Sequence, residues 1–327
     1  MSYRRCGGHG VKELMFFEGS EKKLEITVGP AVANLRQLDL SFWVDLVRHA
    51  NAEILSSLKS DHCDAYLLSE SSLFVWKNRI LILTCGNSTL VNAACYFIEH
   101  FGVVNIAFIS YQRKNEYHAH LQNSTFAEDI IQLRRHIPGK AFRMGHLDSH
   151  HHYFFCSEGH YKAQTEESTI ELLMYHIRGE LAEYLNGEVQ TLGDMCRWLK
   201  LEALFPQFTF DVHLFEPYGF SMNGLWGEYY ITLHITPQAG QAYACSYVSF
   251  ETNLDLSQYP QTVLGSLLNL FSPVSWDLIG FNHPLEAQGA PRHLCLGRCS
   301  LTTDQGYHIG FNHYQQLQAE VLSPELM

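Results

Sequence analysis

Two short segments combine residue types that can do chemistry with nothing supplied from outside the chain, Ser69-Glu70-Ser71-Ser72 and Thr84-Cys85-Gly86. A serine hydroxyl beside a peptide carbonyl held in a strained turn can attack that carbonyl, move the acyl group from nitrogen to oxygen and leave an ester. If a base then takes the Cα proton of the serine, the ester eliminates. Hydrolysis of the resulting dehydroalanine leaves a ketone at the new N-terminus, a pyruvoyl group. Such a ketone binds a substrate amine as a Schiff base and accepts electrons when a carboxylate leaves as CO₂, as a pyridoxal ring does. Taken singly, Ser-Glu-Ser-Ser reads as a polar loop and Cys85 as a small buried hydrophobe. His234 alone reads as a hydrogen-bonded core histidine. Asp148-Ser149-His150-His151-His152 suggests a metal site at first sight, but successive strand residues point to opposite faces and do not converge on one ion. Cys295 and Cys299 with His293 are a weaker hint, and no metal is expected.

The elements that must position these residues can be read from apolar spacing. Phe16 to Val28 ends in the alternating Leu24-Glu25-Ile26-Thr27-Val28, which predicts a strand. Asp39 or Ser41 caps a helix running to about Leu58. Ala65–Leu68 and Ser72–Trp76 read as one extended stretch, Lys77-Asn78-Arg79 as the turn, and Ile80–Thr84 as the returning strand. Asn87 or Ser88 caps a helix to about Phe101, closed by Gly102, and Val104–Ser110 is a further strand. In the second half Ile170–Ile177 leaves strand and helix both open. Glu180–Leu185 predicts a helix closed by Gly187, Phe208–Phe215 a strand, and Leu225 to Pro237 a hairpin around Trp226-Gly227-Glu228. Tyr247–Thr252 predicts a strand before a helix near Val263–Phe271.

The hairpin from Ser71 can be laid on the one from Ser221, each beginning at a serine with a tryptophan five residues on. That suggests an internal duplication, with repeats at about 15–165 and 166–320 in a single domain. Two copies of a sheet covered by helices on one face pack sheet to sheet, because each has a second apolar face to bury. The expected fold class is α+β, a duplicated four-layer α-β-β-α sandwich with two mainly antiparallel sheets.

Composition narrows the class. Of 327 residues 46% are hydrophobic and only 17% charged, which describes a compact globule rather than a disordered chain. The net charge of −12, with no run of Lys or Arg longer than two, argues against binding a phosphate backbone, so nucleic acid is not an expected partner. No apolar leader precedes Val11 and no stretch approaches 18 uncharged apolar residues, so neither a signal peptide nor a membrane partner is expected. Nine scattered cysteines, an odd number, are then expected as reduced thiols in the cytoplasm.

The ordered set of Phe16-Phe17-Glu18-Gly19-Ser20-Glu21-Lys22, Ser69-Glu70-Ser71-Ser72, Thr84-Cys85-Gly86, Gly219-Phe220-Ser221-Met222-Asn223-Gly224, His234-Ile235-Thr236-Pro237 and Ser249-Phe250-Glu251-Thr252-Asn253 resembles the eukaryotic-type S-adenosylmethionine decarboxylases, from about Phe16 to Phe271. The resemblance implies a proenzyme cut between Glu70 and Ser71 into a β chain, 1–70, and an α chain, 71–327. Ser71 becomes the pyruvoyl group, with no external cofactor. It further implies His234 as the base for the Cα proton, Ser221 as its assistant at the ester stage, Cys85 as proton donor to the carbanion, and Glu21 as an acid linked to processing. The implied substrate is S-adenosylmethionine, with Phe17 and Phe215 stacking on the adenine and Glu18 the acidic residue of the pocket. The product is the aminopropyl donor for spermidine synthesis.

Some residues depart from the family pattern. Gln238 stands where the family has a glutamate holding both ribose hydroxyls, and Tyr218 where it has a small cysteine. A substrate shifted to ornithine or arginine is one alternative these raise. A second is a low-activity regulatory paralog paired with an active subunit, and a homodimer is a further partner to consider. In the mammalian branch putrescine binds acidic residues between the sheets. Here Arg178 is read as standing where that branch has Asp, Lys23 replaces a Leu, and Leu83 replaces a Lys. Fixed cations near Glu25 would mimic a bound diamine, so no putrescine requirement is expected.

Overall fold

The computed structural model describes residues 21–164, 167–185, 187, 189–215, 219–236, 247–256, 260–283, 285 and 292–317. The first half runs β1 (Lys22–Val28), α1 (Leu40–His49), β2 (Ile54–Lys59), β3 (Asp64–Leu68), β4 (Ser71–Val75), β5 (Arg79–Thr84), α2 (Leu90–Phe101), β6 (Ile106–Lys114), α3 (Phe126–Leu133), β7 (Gly139–Gly145) and β8 (His151–Ser157). The second runs β9 (Thr169–Tyr175), α4 (Glu180–Leu185), α5 (Leu192–Leu199), α6 (Leu201–Leu204), β10 (Thr209–Leu214), β11 (Phe220–Trp226), β12 (Tyr229–Thr236), β13 (Tyr247–Thr252), α7 (Pro260–Phe271), β14 (Ser275–Phe281), β15 (His293–Thr302) and β16 (His308–Gln316).

Each half forms one eight-stranded sheet. The orders are β2-β3-β4-β5-β1-β6-β8-β7 and β10-β11-β12-β13-β9-β14-β16-β15, so the same path is traced twice. This topology shifts the correspondence drawn from the sequence by one strand: β11 and β12 occupy the places of β3 and β4, not of β4 and β5. The two tryptophans that suggested the overlay are not equivalent.

The layers follow from where the apolar side chains go. Leu24, Ile26, Leu73, Val75, Ile80 and Ile82 of the first sheet meet Phe42, Trp43, Leu46, Phe97 and Ile98 of the helices on its outer face. Leu172, Met174, Ile231, Leu233 and Val248 do the same for the second sheet under Leu181, Leu185, Leu264 and Leu267. The inner faces meet in two further clusters, one around Phe108, Phe154, Phe281 and Phe311, the other around Phe74, Leu83, Leu225 and Tyr230. The four-layer α-β-β-α sandwich is therefore present. Among the described residues no helix is long and apolar enough to cross a membrane.

Three local readings of the sequence are overturned, the first being the cap of α2, which is Thr89, with no side-chain hydrogen bond, rather than Asn87 or Ser88. The helix capped by Asp39, whose carboxylate accepts from the Ser41 amide at 2.8 Å, stops at His49 rather than near Leu58. Asn51 takes a φ of 61°, which ends the helix, and Ile54–Lys59 then alternates half-buried and exposed as an edge strand. The stretch from Ala65 to Trp76 is not one extended run. It folds back at Ser69-Glu70, so that β3 and β4 pair antiparallel with Leu68 opposite Ser71.

Candidate active site

The turn at Ser69-Glu70 ends in a strained residue. Ser71 holds a φ of 143°, a region that side-chain-bearing residues rarely enter and that costs about 1–3 kcal/mol. Its hydroxyl is buried and has no hydrogen-bond partner among the described residues. Ser71 is paired with Thr84 at the end of β5, which brings Cys85 onto the preceding carbonyl. The Cys85 amide donates to the Glu70 oxygen at 3.0 Å, and the Cys85 thiol approaches the same oxygen at 3.4 Å. Two donors on one carbonyl draw electron density off its carbon, the arrangement that stabilises an oxyanion during acyl transfer.

Burial, more than the surrounding charges, sets the protonation of these groups. Burial, reinforced by the Glu70 and Glu21 carboxylates, holds the Cys85 thiol far above its ordinary pKa. It is therefore a proton donor at neutral pH rather than a thiolate. Burial also raises Glu70 to about 7, against the pull of Lys22. Lys22 was quoted in the sequence without a role. Its ammonium donates at 2.8 Å to the Gly86 carbonyl and at 2.8 Å to Gln122 Oε1, bracing the loop that carries Cys85, and burial lowers it to about 8.

The second sheet faces this turn with a square of polar side chains. Ser221 and Asn223 lie two apart on β11, Thr232 and His234 two apart on β12, and the register pairs Ser221 with His234 and Asn223 with Thr232. All four therefore share one face. Ser221 Oγ is 2.8 Å from His234 Nδ1, and Thr232 Oγ1 is 2.7 Å from His234 Nε2. From the first sheet Ser72 reaches across to Asn223 Oδ1 at 2.7 Å and to His234 Nε2 at 3.2 Å. His234 is buried, and desolvation lowers its pKa to about 3, so the ring is a neutral base. Ser72, Asn223 and Thr232 were not singled out from sequence. The available signal was polar residues at i and i+2 on two adjoining strands that otherwise face an apolar core.

Glu21 accepts a hydrogen bond from the Ser249 hydroxyl of β13. Burial raises Glu21 to about 7 against hydrogen bonds from Ser249 and Glu171, and burial together with the Glu21 carboxylate raises Glu171 of β9 well above the carboxylate range. Deeper between the sheets, the Lys23 ammonium binds Glu251 at 2.6 Å and Thr169 at 3.3 Å, and Arg79 binds Glu25 at 3.1 Å. Lys23 is the direct cross-strand partner of Leu83, so the Lys-for-Leu and Leu-for-Lys exchanges noted in the sequence fall on one pair. Arg178 is not brought to this cluster. It lies past the end of β9, its amide bonded to the Phe271 carbonyl at the end of α7, and Arg79 is the second cation beside Glu25.

Phe215 is half-buried just beyond β10, its amide bonded to the Gly219 carbonyl at 2.8 Å and its ring edge-on to His213 at 4.6 Å. Phe17, Glu18, Tyr218 and Gln238 lie outside the described residues.

The histidine run separates as strand alternation requires. His152 Nε2 meets Gln112 Oε1 at 2.8 Å and His151 Nδ1 the Ser149 carbonyl at 2.9 Å. His150 alone joins His313 on Asp277, with Nδ1 distances of 3.1 and 2.7 Å. These three groups stand close enough for one ion. Lys114 also sits 2.8 Å from the same carboxylate, so Asp277 already has a cation partner, and the two imidazoles stack at 4.1 Å and 26°.

Comparison with known proteins points to one family. The sequence profile described as adenosylmethionine decarboxylase matches residues 14–323. The S-adenosylmethionine decarboxylase proenzyme of Dictyostelium discoideum is 30% identical over 93% of this chain and 87% of its own length. That of Xenopus laevis is 32% identical over 79% of this chain and 81% of its own. The crystal structure of the Trypanosoma brucei AdoMetDC-delta26 monomer shares the fold, with a TM-score of 0.55 and 22% identity over 75% of this chain and 98% of that one. The chain belongs to the adenosylmethionine decarboxylase family.

Proposed function

We propose that this chain is a self-processing decarboxylase of S-adenosylmethionine that cuts itself between Glu70 and Ser71 and makes its reactive ketone from Ser71. One observation carries the reading: the Glu70 carbonyl accepts from both donors of Cys85 beside a buried, unpartnered Ser71 hydroxyl on strained backbone. In the first step Ser71 Oγ adds to the Glu70 carbonyl carbon. The C–N bond then breaks, the amine takes a proton, and Glu70 is left esterified to Ser71 Oγ. His234, with Ser221 on its ring, takes the Cα proton of Ser71, and the Glu70 carboxylate departs as the double bond forms. Water replaces the nitrogen, which leaves as ammonia. The pyruvoyl group so formed supplies the electron sink for loss of CO₂. Cys85, kept as a thiol by burial, is the proton donor to the decarboxylated carbon.

The purified chain, offered carboxyl-¹⁴C-labelled S-adenosylmethionine, ornithine and arginine in turn, is expected to release ¹⁴CO₂ from the first alone. Release from a plain basic amino acid instead would overturn the substrate. Phe215→Ala is expected to raise KM for S-adenosylmethionine about 5- to 150-fold, the worth of stacking one base, with a smaller change in kcat. An unchanged KM would remove Phe215 from the pocket. Phe17, Glu18 and Gln238 complete the proposed pocket, and Gln238→Glu should tighten binding by restoring a charged acceptor for the ribose.

The cluster of Lys23, Arg79, Glu25, Glu171 and Glu251 supports activation without a diamine, because each cation already has a carboxylate partner. Millimolar putrescine is expected to change the rate less than about twofold, since a further cation meets like charges there. Large stimulation would show the carboxylates to be under-neutralised. The product serves as aminopropyl donor for spermidine synthesis. Free thiols at all seven described cysteines fit a cytoplasmic enzyme.

A further inference from the structure

With the Asn223 carboxamide oxygen facing the two hydroxyls beside it, the contacts around His234 set the place of its single ring proton. Asn223 Oδ1 receives two hydroxyls, Ser72 Oγ at 2.7 Å and Thr232 Oγ1 at 3.0 Å. A hydroxyl carries one hydrogen, so both are committed to Asn223 and present only lone pairs to the imidazole. Nε2, 2.7 Å from Thr232 Oγ1 and 3.2 Å from Ser72 Oγ, is in that arrangement the nitrogen that donates. The ring is neutral, so Nδ1 is bare and accepts from Ser221 Oγ at 2.8 Å.

We infer that Asn223 and Thr232 are positioning residues that lock His234 as its Nε2–H tautomer, with the basic lone pair at Nδ1 on the Ser221 side. The inference deepens the processing reading above and rests on it for its consequence, though not for its geometry. Thr232 and His234 are neighbours at i and i+2 on β12, and Asn223 is the cross-strand partner of Thr232, so the lock is a property of the β11–β12 register. Ser72 adds a contact from the other sheet. It is the second residue after the scissile bond, directly following Ser71, which ties the tautomer of the base to the correct docking of the segment the base acts on.

The carboxamide, whose nitrogen is buried with no hydrogen-bond partner among the described residues, can run the chain the other way. With its nitrogen turned to the hydroxyls, one of them would be released to donate to Nε2, and the ring proton would move to Nδ1. Asparagine and aspartate separate the two directions, because a carboxylate of the same shape only accepts. Asn223→Asp is therefore expected to keep processing near the wild-type rate, whereas Asn223→Leu slows it. The new charge should also lift the acid limb of the processing profile from about pH 3, since a nearby anion favours the imidazolium. Thr232→Val, which keeps the shape and removes the acceptor for Nε2–H, should slow processing about tenfold, the worth of one hydrogen bond.

The direct reading is ¹⁵N chemical shifts of histidine-labelled protein in the uncleaved Ser71→Ala background, with His234 assigned by difference from His234→Gln. The expected spectrum has a protonated Nε2 and an unprotonated Nδ1, converting to a mixture in Thr232→Val. A protonated Nδ1, or loss of processing in a folded Asn223→Asp, overturns the inference. If the wild-type chain never cleaves at Glu70–Ser71, the processing reading fails, while the tautomer is still settled by the spectrum.

Discussion

Ser71→Ala is expected to leave the polypeptide as a single chain of 327 residues with no decarboxylase activity, whereas the parent chain is expected to yield fragments ending at Glu70 and beginning at residue 71. Alanine removes only the hydroxyl. The φ of 143° and the two Cys85 donors on the Glu70 carbonyl remain, so the carbonyl stays polarised but has no nucleophile. Intact-mass measurement reads the cleavage and the blocked N-terminus of the α chain together. Ser71→Gly is the companion variant, because it also lacks the hydroxyl yet relieves the positive φ. If strain alone broke the bond, the alanine chain would still be cut and the glycine chain would not. If the hydroxyl is the nucleophile, neither is cut. An uncleaved wild-type chain with full activity would sink the mechanism.

The sequence exposed different parts of this structure to different degrees. Glu180–Leu185 and Tyr247–Thr252 could be bounded to the residue, because helix-forming residues between glycines, and alternating β-branched and aromatic residues, each favour one backbone conformation. The fold-back at Ser69-Glu70 could not be seen. It contains neither Gly nor Pro, and the positive φ that closes it falls on a serine held there by pairing with Leu68 and Thr84 on both sides. Sterics that local sequence disfavours were imposed by the sheet. The overlay of two hairpins failed by one strand for a related reason. Trp76 and Trp226 are conspicuous side chains, but sheet position is set by pairing order, which no single residue reports.

The charged cluster shows the same limit. Lys23 and Glu25 share a strand face, so their proximity was legible. Arg178 follows a segment whose extended part ends at Tyr175, and beyond that residue the chain leaves the sheet. Arg79, at the start of β5, reaches Glu25 through cross-strand neighbours that only the register of β1 on β5 reveals.

His234→Ala should arrest the chain one step later than Ser71→Ala. The attack on Glu70 needs the Ser71 hydroxyl and the Cys85 donors, none of which is lost, so the ester forms. Removal of the Cα proton needs the base, and losing a general base costs about 10²- to 10⁴-fold. The expected species is an ester at Ser71 that water leaves intact and hydroxylamine cleaves, giving a hydroxamate at Glu70. The pH dependence identifies the base further. A histidine with its ordinary pKa would lose activity as pH falls through about 6.5. His234 stays neutral down to about 3, so its own acid limb lies there, and it contributes no inflection near neutrality. An inflection near pH 7 belongs instead to carboxyls raised by burial, Glu21 and Glu70, whose protonated forms are lost as pH rises through that value. Glu21→Gln should remove the Glu21 part of it and leave the His234 limb in place. Normal processing in His234→Ala would assign the proton abstraction to another group, and an acid limb at about 6.5 rather than about 3 would overturn the buried, neutral state of His234.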